Sequence, residues 1–128
     1  MPRNKYRVSP AEERYFNGRT YASKAEMRYA QTLELLKEAG DVIEYIEQPK
    51  FRLGCPENVY VADFLVIRAD EPPYVVDVKG METNKFKRDK KLWMAYGRLP
   101  LVIIKKNRSS FVVNERITPK SEADDDLS

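Results

Sequence analysis

A helical segment lies between two strongly apolar strand segments in the second half of the sequence. "PPYVVDVKG" (residues 72–80) is β-forming, "TNKFKRDKKLWMAYG" (83–97, opening at Thr83 and closing at Gly97) has helical periodicity, and "LVIIKK" (101–106) is β-forming again. A helix between two strands matches a crossover connection, so the two strands are predicted to run parallel in one sheet. This unit restricts the chain to the α/β class with a mixed sheet.

The first half of the sequence predicts one helix and two strands. "YASKAEMRYAQTLELLKEAGD" places Ser23 and Glu26 at the spacing of a capping box, and its apolar positions predict a helix over residues 23–39 that stops at Gly40. "VIEYIEQPKFRL" and "NVYVADFLVIRAD" predict antiparallel strands, and "FVVNE" predicts a last strand. The predicted order is one helix, three strands, one helix and two strands.

The two ends of the chain differ in charge from the predicted domain, residues 21–118. Residues 1–20 are basic and contain Pro2 and Pro10, which predicts an arm that orders on binding. Residues 119–128 carry one lysine against four acids and predict a disordered acidic tail, leaving a net charge of +6 on the rest of the chain. A basic body is compatible with a polyanionic partner, although this charge alone is weak support.

The sequence lacks the residues of several enzyme and metal-site classes. It has no histidine and a single cysteine, Cys55, which excludes disulfide frameworks, zinc fingers and histidine general bases from within one chain. Carboxylate and carbonyl oxygens remain as ligands, and they suit Mg²⁺ or Mn²⁺. No apolar stretch has the length of a membrane span or the pattern of a signal peptide, so we expect a cytoplasmic protein without a membrane partner.

The stretch "VVDVKG" places two opposite charges in an apolar strand. Asp77 and Lys79 lie two residues apart and therefore point to the same face. A buried charge costs several kcal/mol unless it is paired or binds a metal, so these two require compensation. Asp89-Lys90-Lys91 has the same Asp-x-Lys spacing, but it lies in a predicted helix, where residues i and i+2 do not share a face.

Two further carboxylates are candidates for the same site. Asp63 interrupts an apolar strand, and its alternation partners Val61 and Leu65 predict a largely buried face. If this strand pairs with residues 74–80, Asp63 and Asp77 lie side by side, and their repulsion is relieved by a divalent cation. Glu26 lies at the edge of the packed stripe of the first helix, although the Ser23–Glu26 pair is at least equally well explained as a helix cap.

These residues resemble the PD-(D/E)XK nuclease superfamily over about residues 20–104. "SKAEMRYAQTLELL", "EQPKF", "YVADFLV", "VDVKG" and the lysine-rich second helix are more narrowly similar to phage-encoded Holliday junction resolvase-like nucleases, including archaeal resolvases of that type. The resemblance implies a restriction-endonuclease-like core of α-β-β-β-α-β order. One departure is Ala62, where the superfamily pattern has proline.

The resemblance also implies roles for individual residues. Asp63 and Asp77 would bind Mg²⁺ directly, with the Val78 carbonyl as a further ligand and Glu26 reaching the metal directly or through water. Lys79 would position the attacking water and stabilise charge on the phosphate. The implied enzyme is a Mg²⁺-dependent endonuclease that cleaves four-way DNA junctions as a homodimer, because two sites related by a two-fold axis suit symmetric cutting.

Basic side chains near these positions are candidates for phosphate contacts. On the second helix and near the first helix N-terminus they are Lys24, Lys85, Lys87, Arg88, Lys90 and Lys91, and in the arm Arg3, Lys5, Arg7, Arg14 and Arg19. The uncharged Ser23, at the N-terminus of the first helix, is a further candidate for a phosphate contact. For any single lysine a solvated helix face is an equally good explanation. Two other functions stay open: a restriction-like or repair nuclease acting on duplex or flap DNA, and a non-catalytic nucleic-acid-binding module.

Overall fold

The centre of the fold is a five-stranded mixed sheet, seen in a computed structural model that describes residues 8–120. The two helices are α1 (Lys24–Glu38) and α2 (Asn84–Tyr96). The strands are β1 (Tyr15–Phe16), β2 (Arg19–Thr20), β3 (Val42–Glu47), β4 (Lys50–Arg52), β5 (Val59–Val61), β6 (Phe64–Arg68), β7 (Tyr74–Val78), β8 (Leu101–Asn107) and β9 (Ser110–Ile117).

The strand order of the central sheet is β3-β6-β7-β8-β9. β7 and β8 are parallel and are joined through α2, which confirms the predicted crossover, while the other three pairings are antiparallel. The remaining strands form two short hairpins, β1–β2 and β4–β5. The predicted α/β class is confirmed, and this mixed sheet with two helices is compatible with a restriction-endonuclease-like core.

Helix α1 covers one face of the sheet. Its N-cap is Ser23, whose Oγ accepts a hydrogen bond from the Glu26 amide at 3.1 Å, so half of the predicted capping box is present. Met27, Ala30 and Leu33 recur at helical spacing and are buried against alternate residues of the central strands. This packing places the first turn of α1, and with it Glu26, over one end of the sheet.

Helix α2 and the β4–β5 hairpin cover the other face. Thr83 caps α2 by accepting a hydrogen bond from the Phe86 amide at 3.1 Å, and Phe86 and Trp93 are buried. Phe51 of the hairpin meets the Trp93 ring edge-on, with ring centroids 4.9 Å apart, while the Trp93 Nε1 donates to the Leu99 carbonyl at 2.8 Å. The N-terminus of α2 therefore lies beside the end of β7.

The strand predicted around Asp63 is divided into two. β5 ends at Val61 and pairs with β4, whereas β6 begins at Phe64 and pairs with β3 and β7. The expectation that Val61 continues a buried face is wrong, because the alternation does not pass through the break and Val61 is 46% exposed. Asp63 lies in this break rather than inside a continuous strand.

The predicted chain ends also differ from the structure where it describes them. Residues 11–13 form a 3₁₀ turn and the β1–β2 hairpin follows, so this part of the expected arm has regular structure. Pro119 is buried, so the packed chain reaches beyond residue 118. Residues 1–7, with Arg3, Lys5 and Arg7, and residues 121–128 lie outside the described range.

Neither α1 nor α2 could cross a membrane, since no helix within residues 8–120 is both long and apolar enough to do so.

Candidate active site

Asp63 and Asp77 lie side by side at one edge of the sheet. The pairing of Phe64 with Val76 brings the residue before β6 next to the end of β7. The Asp63 amide donates to Asp77 Oδ1 at 2.9 Å, and the Val78 amide donates to Asp63 Oδ2 at 2.7 Å. The predicted adjacency of the two carboxylates is confirmed, and each is held by a backbone amide of the other's strand.

Asp77 is a buried carboxylate with an unused oxygen. Its residue is 1% exposed, and its Oδ2 has no hydrogen-bond partner among residues 8–120. Burial raises the pKa of Asp77 to about 6, against the opposing effects of Lys79 and of the Asp63 amide. Burial likewise raises the pKa of Asp63. A buried acceptor without a donor indicates that this edge is built for a cation or a proton.

Lys79 lies between Asp77 and an aromatic ring. Its Nζ is 4.0 Å from Asp77 Oδ2 and 4.3 Å from the ring centroid of Phe86, which belongs to the first turn of α2. The shared face predicted for Asp77 and Lys79 is therefore found. Phe86 is a buried core residue, and its contact with Lys79 was not predicted from the sequence. Its place three residues after the Thr83 cap, in the helix that follows β7, is the signal that could have revealed it.

Glu26 is electrostatically coupled to the aspartates from the first turn of α1. Burial, then the charge of Asp63 and less strongly that of Asp77, raise the pKa of Glu26 to about 7, while a hydrogen bond with the Ser23 side chain opposes the shift. Ser23 thus caps the helix through the Glu26 amide and also lowers the pKa of the Glu26 carboxyl. The cap explanation of this pair is confirmed, and it coexists with the proximity of Glu26 to the two aspartates.

The predicted convergence of three carboxylates is not present as a ready metal-binding group. Within residues 8–120, no three acidic or cysteine side chains are arranged to hold a metal ion. Glu26 is drawn to Ser23, and one oxygen of each aspartate is occupied by a backbone amide. The aspartate pair nevertheless fits a hard cation, because each carboxylate has a second oxygen outside these bonds and that of Asp77 lacks a partner. The role of the Val78 carbonyl stays a prediction.

Several cations predicted to contact phosphate are occupied elsewhere. The Lys90 side chain is only 18% exposed and lies between Glu82 and Glu115, with its Nζ 2.9 Å from Glu115 Oε1. Arg14 donates to the Tyr21 carbonyl at 2.5 Å, and Arg19 pairs with Glu47 at 3.0 Å. These partners compete with phosphate for the three cations, whose contacts with DNA stay predictions.

The other basic residues of α2 and α1 differ in how exposed they are and in whether they have a partner. Lys85 pairs with Asp89 at 3.2 Å from a largely exposed position, and Arg88 donates to the Asn58 side chain at 3.4 Å. Lys87 and Lys91 are exposed, and Lys24 is partly exposed at the start of α1. Phosphate contacts by these five residues stay predictions.

Comparison with known families identifies one match. Residues 3–110 match the model of the family described as "Protein of unknown function (DUF1064)", and because this covers most of the 128 residues, the chain belongs to that family. The chain has no match among the curated proteins. The geometry of the site is therefore the basis for proposing a function.

Proposed function

We propose that this protein is a metal-dependent DNA endonuclease that hydrolyses phosphodiesters at four-way junctions. One observation carries the proposal: two carboxylates are fixed side by side at a sheet edge, one with a buried oxygen that lacks a donor, and an ammonium lies 4.0 Å from that oxygen. Carboxylates of this kind suit Mg²⁺, with Mn²⁺ as a substitute. The choice of junctions as substrate depends on the sequence resemblance alone.

Each residue of the site has a separate task in this proposal. Asp63 and Asp77 would hold the cation, which would supply Lewis-acid neutralisation of the charge that develops on the phosphate. Lys79, directed by Asp77 and the Phe86 ring, is placed to orient the attacking water and a phosphate oxygen. Glu26, with a pKa of about 7, exchanges its proton near neutral pH and can accept one from that water.

The proposal includes a homodimer and a cytoplasmic location. Cutting two opposed strands of a junction symmetrically requires two active sites, which a two-fold axis supplies with one kind of chain. The cytoplasm is the compartment that holds the DNA of a bacterial or phage genome. Sedimentation of the protein with and without junction DNA tests whether it is a homodimer.

A cleavage assay tests the proposal. A labelled four-way junction and a linear duplex of the same sequence are incubated with the protein in Mg²⁺ or in EDTA. We expect paired symmetric nicks on the junction in Mg²⁺ only, lost in Asp77→Ala and Lys79→Ala and retained in the distant control Lys37→Ala. Equal cutting of junction and duplex would instead indicate a restriction-like or repair nuclease.

A non-catalytic nucleic-acid-binding module is the second candidate. The observation that favours it is the absence of a three-carboxylate group within residues 8–120, since Glu26 is held by Ser23. This candidate predicts binding of DNA without cleavage in either Mg²⁺ or Mn²⁺. Cleavage that disappears in both Asp77→Ala and Lys79→Ala would exclude it.

A further inference from the structure

The β8–β9 hairpin extends past the candidate active site at the same edge of the sheet. Because β7 and β8 are parallel and Val78 pairs with Ile104, Lys79 is level with Lys105 and the residues after Lys105 continue beyond it. The Lys79 amide donates to the Ile104 carbonyl at 2.9 Å, which fixes this alignment. Two strand residues follow Lys105 before the turn, so the hairpin projects roughly 7 Å past Lys79 at about 3.3 Å per residue.

The tip of this hairpin is strongly basic. Lys105, Lys106 and Arg108 lie in or next to the turn, and residues 105–113 contain no acidic residue. Lys106 and Arg108 are exposed and make no ion pair with another residue of the 8–120 range, whereas Lys105 is partly buried and contributes to lowering the pKa of Glu82. Lys105 and Lys106 are consecutive in a strand and point to opposite faces, so positive charge surrounds the tip.

The hairpin is anchored both near its tip and at its base and is open along most of its outer strand. Phe111, which pairs with Lys106 beside the turn, meets the Tyr29 ring of α1 edge-on with centroids 5.3 Å apart, and Ile117 at the base is buried, whereas the other residues of β9 are exposed. The two-stranded ribbon is therefore held in a fixed direction against α1, while the side chains of Lys106 and Arg108 stay exposed at its tip. B-DNA accepts a two-stranded ribbon in its major groove.

Arg108 occupies a conformation that disfavours most side chains. Its φ is 59°, in the left-handed region that glycine and asparagine adopt more readily. A two-residue hairpin turn requires a positive φ at this position, so an arginine there costs stability relative to glycine or asparagine. The turn thus holds a cation at the outermost point of the hairpin at the expense of its own geometry.

We infer that the β8–β9 hairpin binds the phosphate backbone of a duplex DNA arm that extends away from the active-site edge. The inference rests on the proposed function, because it is the alignment with Asp77 and Lys79 that places the hairpin along the substrate. Over roughly 7 Å of axis, B-DNA presents about four phosphates, enough for all three cations. These contacts position the DNA and carry no sequence preference.

Binding measured without catalysis tests the inference. In EDTA, the affinity for a junction and for a single linear arm is measured by anisotropy at several salt concentrations. For the variant Lys105→Ala/Lys106→Ala/Arg108→Ala, we expect the slope of log affinity against log salt to fall by about 2.7, at ~0.9 per lost phosphate contact, on both DNAs. The single variant Arg108→Asn should lower the slope by about 0.9 while leaving the unfolding temperature unchanged or higher.

A matched variant controls for net charge. Arg98→Ala/Arg116→Ala/Lys120→Ala removes three exposed cations near the opposite end of the sheet, and its slope should equal that of the wild type. Equal slopes for the two triple variants would overturn the inference, whatever the cleavage assay shows. Absence of cleavage combined with the expected slopes would instead refute the nuclease proposal and leave the DNA-binding hairpin in place.

Discussion

The burial of Asp77 makes a quantitative prediction about stability. The residue is 1% exposed, and burial raises its pKa from 3.8 to about 6. One pKa unit corresponds to ~1.36 kcal/mol, so the ionised carboxylate lowers the free energy of unfolding by roughly 3 kcal/mol above about pH 6. This is a large share of the ~5–15 kcal/mol by which typical domains are stable.

The direction of the pH effect on stability follows from the two protonation states of Asp77. Between pH 3.8 and about 6 the folded protein retains a proton that the unfolded chain has released, so stability from this group falls as pH rises through that window. Asp77→Asn cannot ionise and keeps an acceptor for the Asp63 amide. Its NH₂ replaces the unpaired Oδ2 and costs ~1–3 kcal/mol at every pH. The free energy of unfolding of Asp77→Asn minus that of the wild type should therefore increase by about 2 kcal/mol between about pH 4.5 and pH 8.

Urea unfolding in EDTA measures this difference. Wild type, Asp77→Asn and the exposed control Asp41→Asn are compared at about pH 4.5, 6 and 8. The control should differ from the wild type by the same amount at each pH. If the difference in free energy of unfolding between Asp77→Asn and the wild type is also constant across pH, the claim that ionised Asp77 destabilises the folded protein is refuted. At pH 8, Mg²⁺ at about 100 times its dissociation constant should stabilise the wild type by ~2.7 kcal/mol and leave Asp77→Asn unchanged.

Three further substitutions test separate parts of the structure. Asp63→Asn should abolish cleavage yet retain junction binding in EDTA, since it removes a cation ligand and no phosphate-contacting cation; loss of binding together with folding would contradict this role. Phe86→Leu should reduce the cleavage rate at saturating DNA about tenfold with little change in affinity, because the ring directs Lys79, while Phe86→Tyr should restore most of the rate. Gly54→Ala should lower the free energy of unfolding by about 1–3 kcal/mol in thermal melts, because Gly54 has φ +87° and an added Cβ would lie 2.8 Å from the Tyr96 ring.

The helices and the crossover could be predicted because their signals are local. Ser23 and Thr83 are N-cap residues in the sequence and in the structure, and each accepts the hydrogen bond that its position predicts. The parallel pairing of β7 with β8 follows from the helix between them, which leaves few ways to return to the sheet. The adjacency of Asp63 and Asp77 could be predicted because β6 and β7 are consecutive antiparallel strands, and their register brings the two residues together.

The break at Ala62–Asp63 could not be predicted from alternation. The residues on either side of it are apolar and β-forming, and what separates them is the choice of partner: β5 pairs with β4, while β6 pairs with β3 and β7. The ion pair of Lys90 likewise could not be predicted from its neighbours in the sequence. Its lysine-rich surroundings indicated a solvated or DNA-binding face, whereas Glu115, 25 residues away in sequence, holds it in an ion pair. Contacts between distant segments decide both features.

The remaining question about the site is why a fold would retain Asp77 ionised in its interior. Asparagine would satisfy the Asp63 amide equally well, and an apolar residue would match Val75 and Ile103 on the same side of the sheet. A carboxylate is the choice whose cost would fall if a cation were bound, because Asp77 Oδ2 has no hydrogen-bond donor and the Lys79 ammonium is 4.0 Å away. Local rules of stability are violated at functional positions and satisfied elsewhere. Within residues 8–120, Asp77 is the only carboxylate with a buried oxygen that lacks a hydrogen-bond donor, and under the proposed function the energy that it costs the free protein would be available as affinity for the cation.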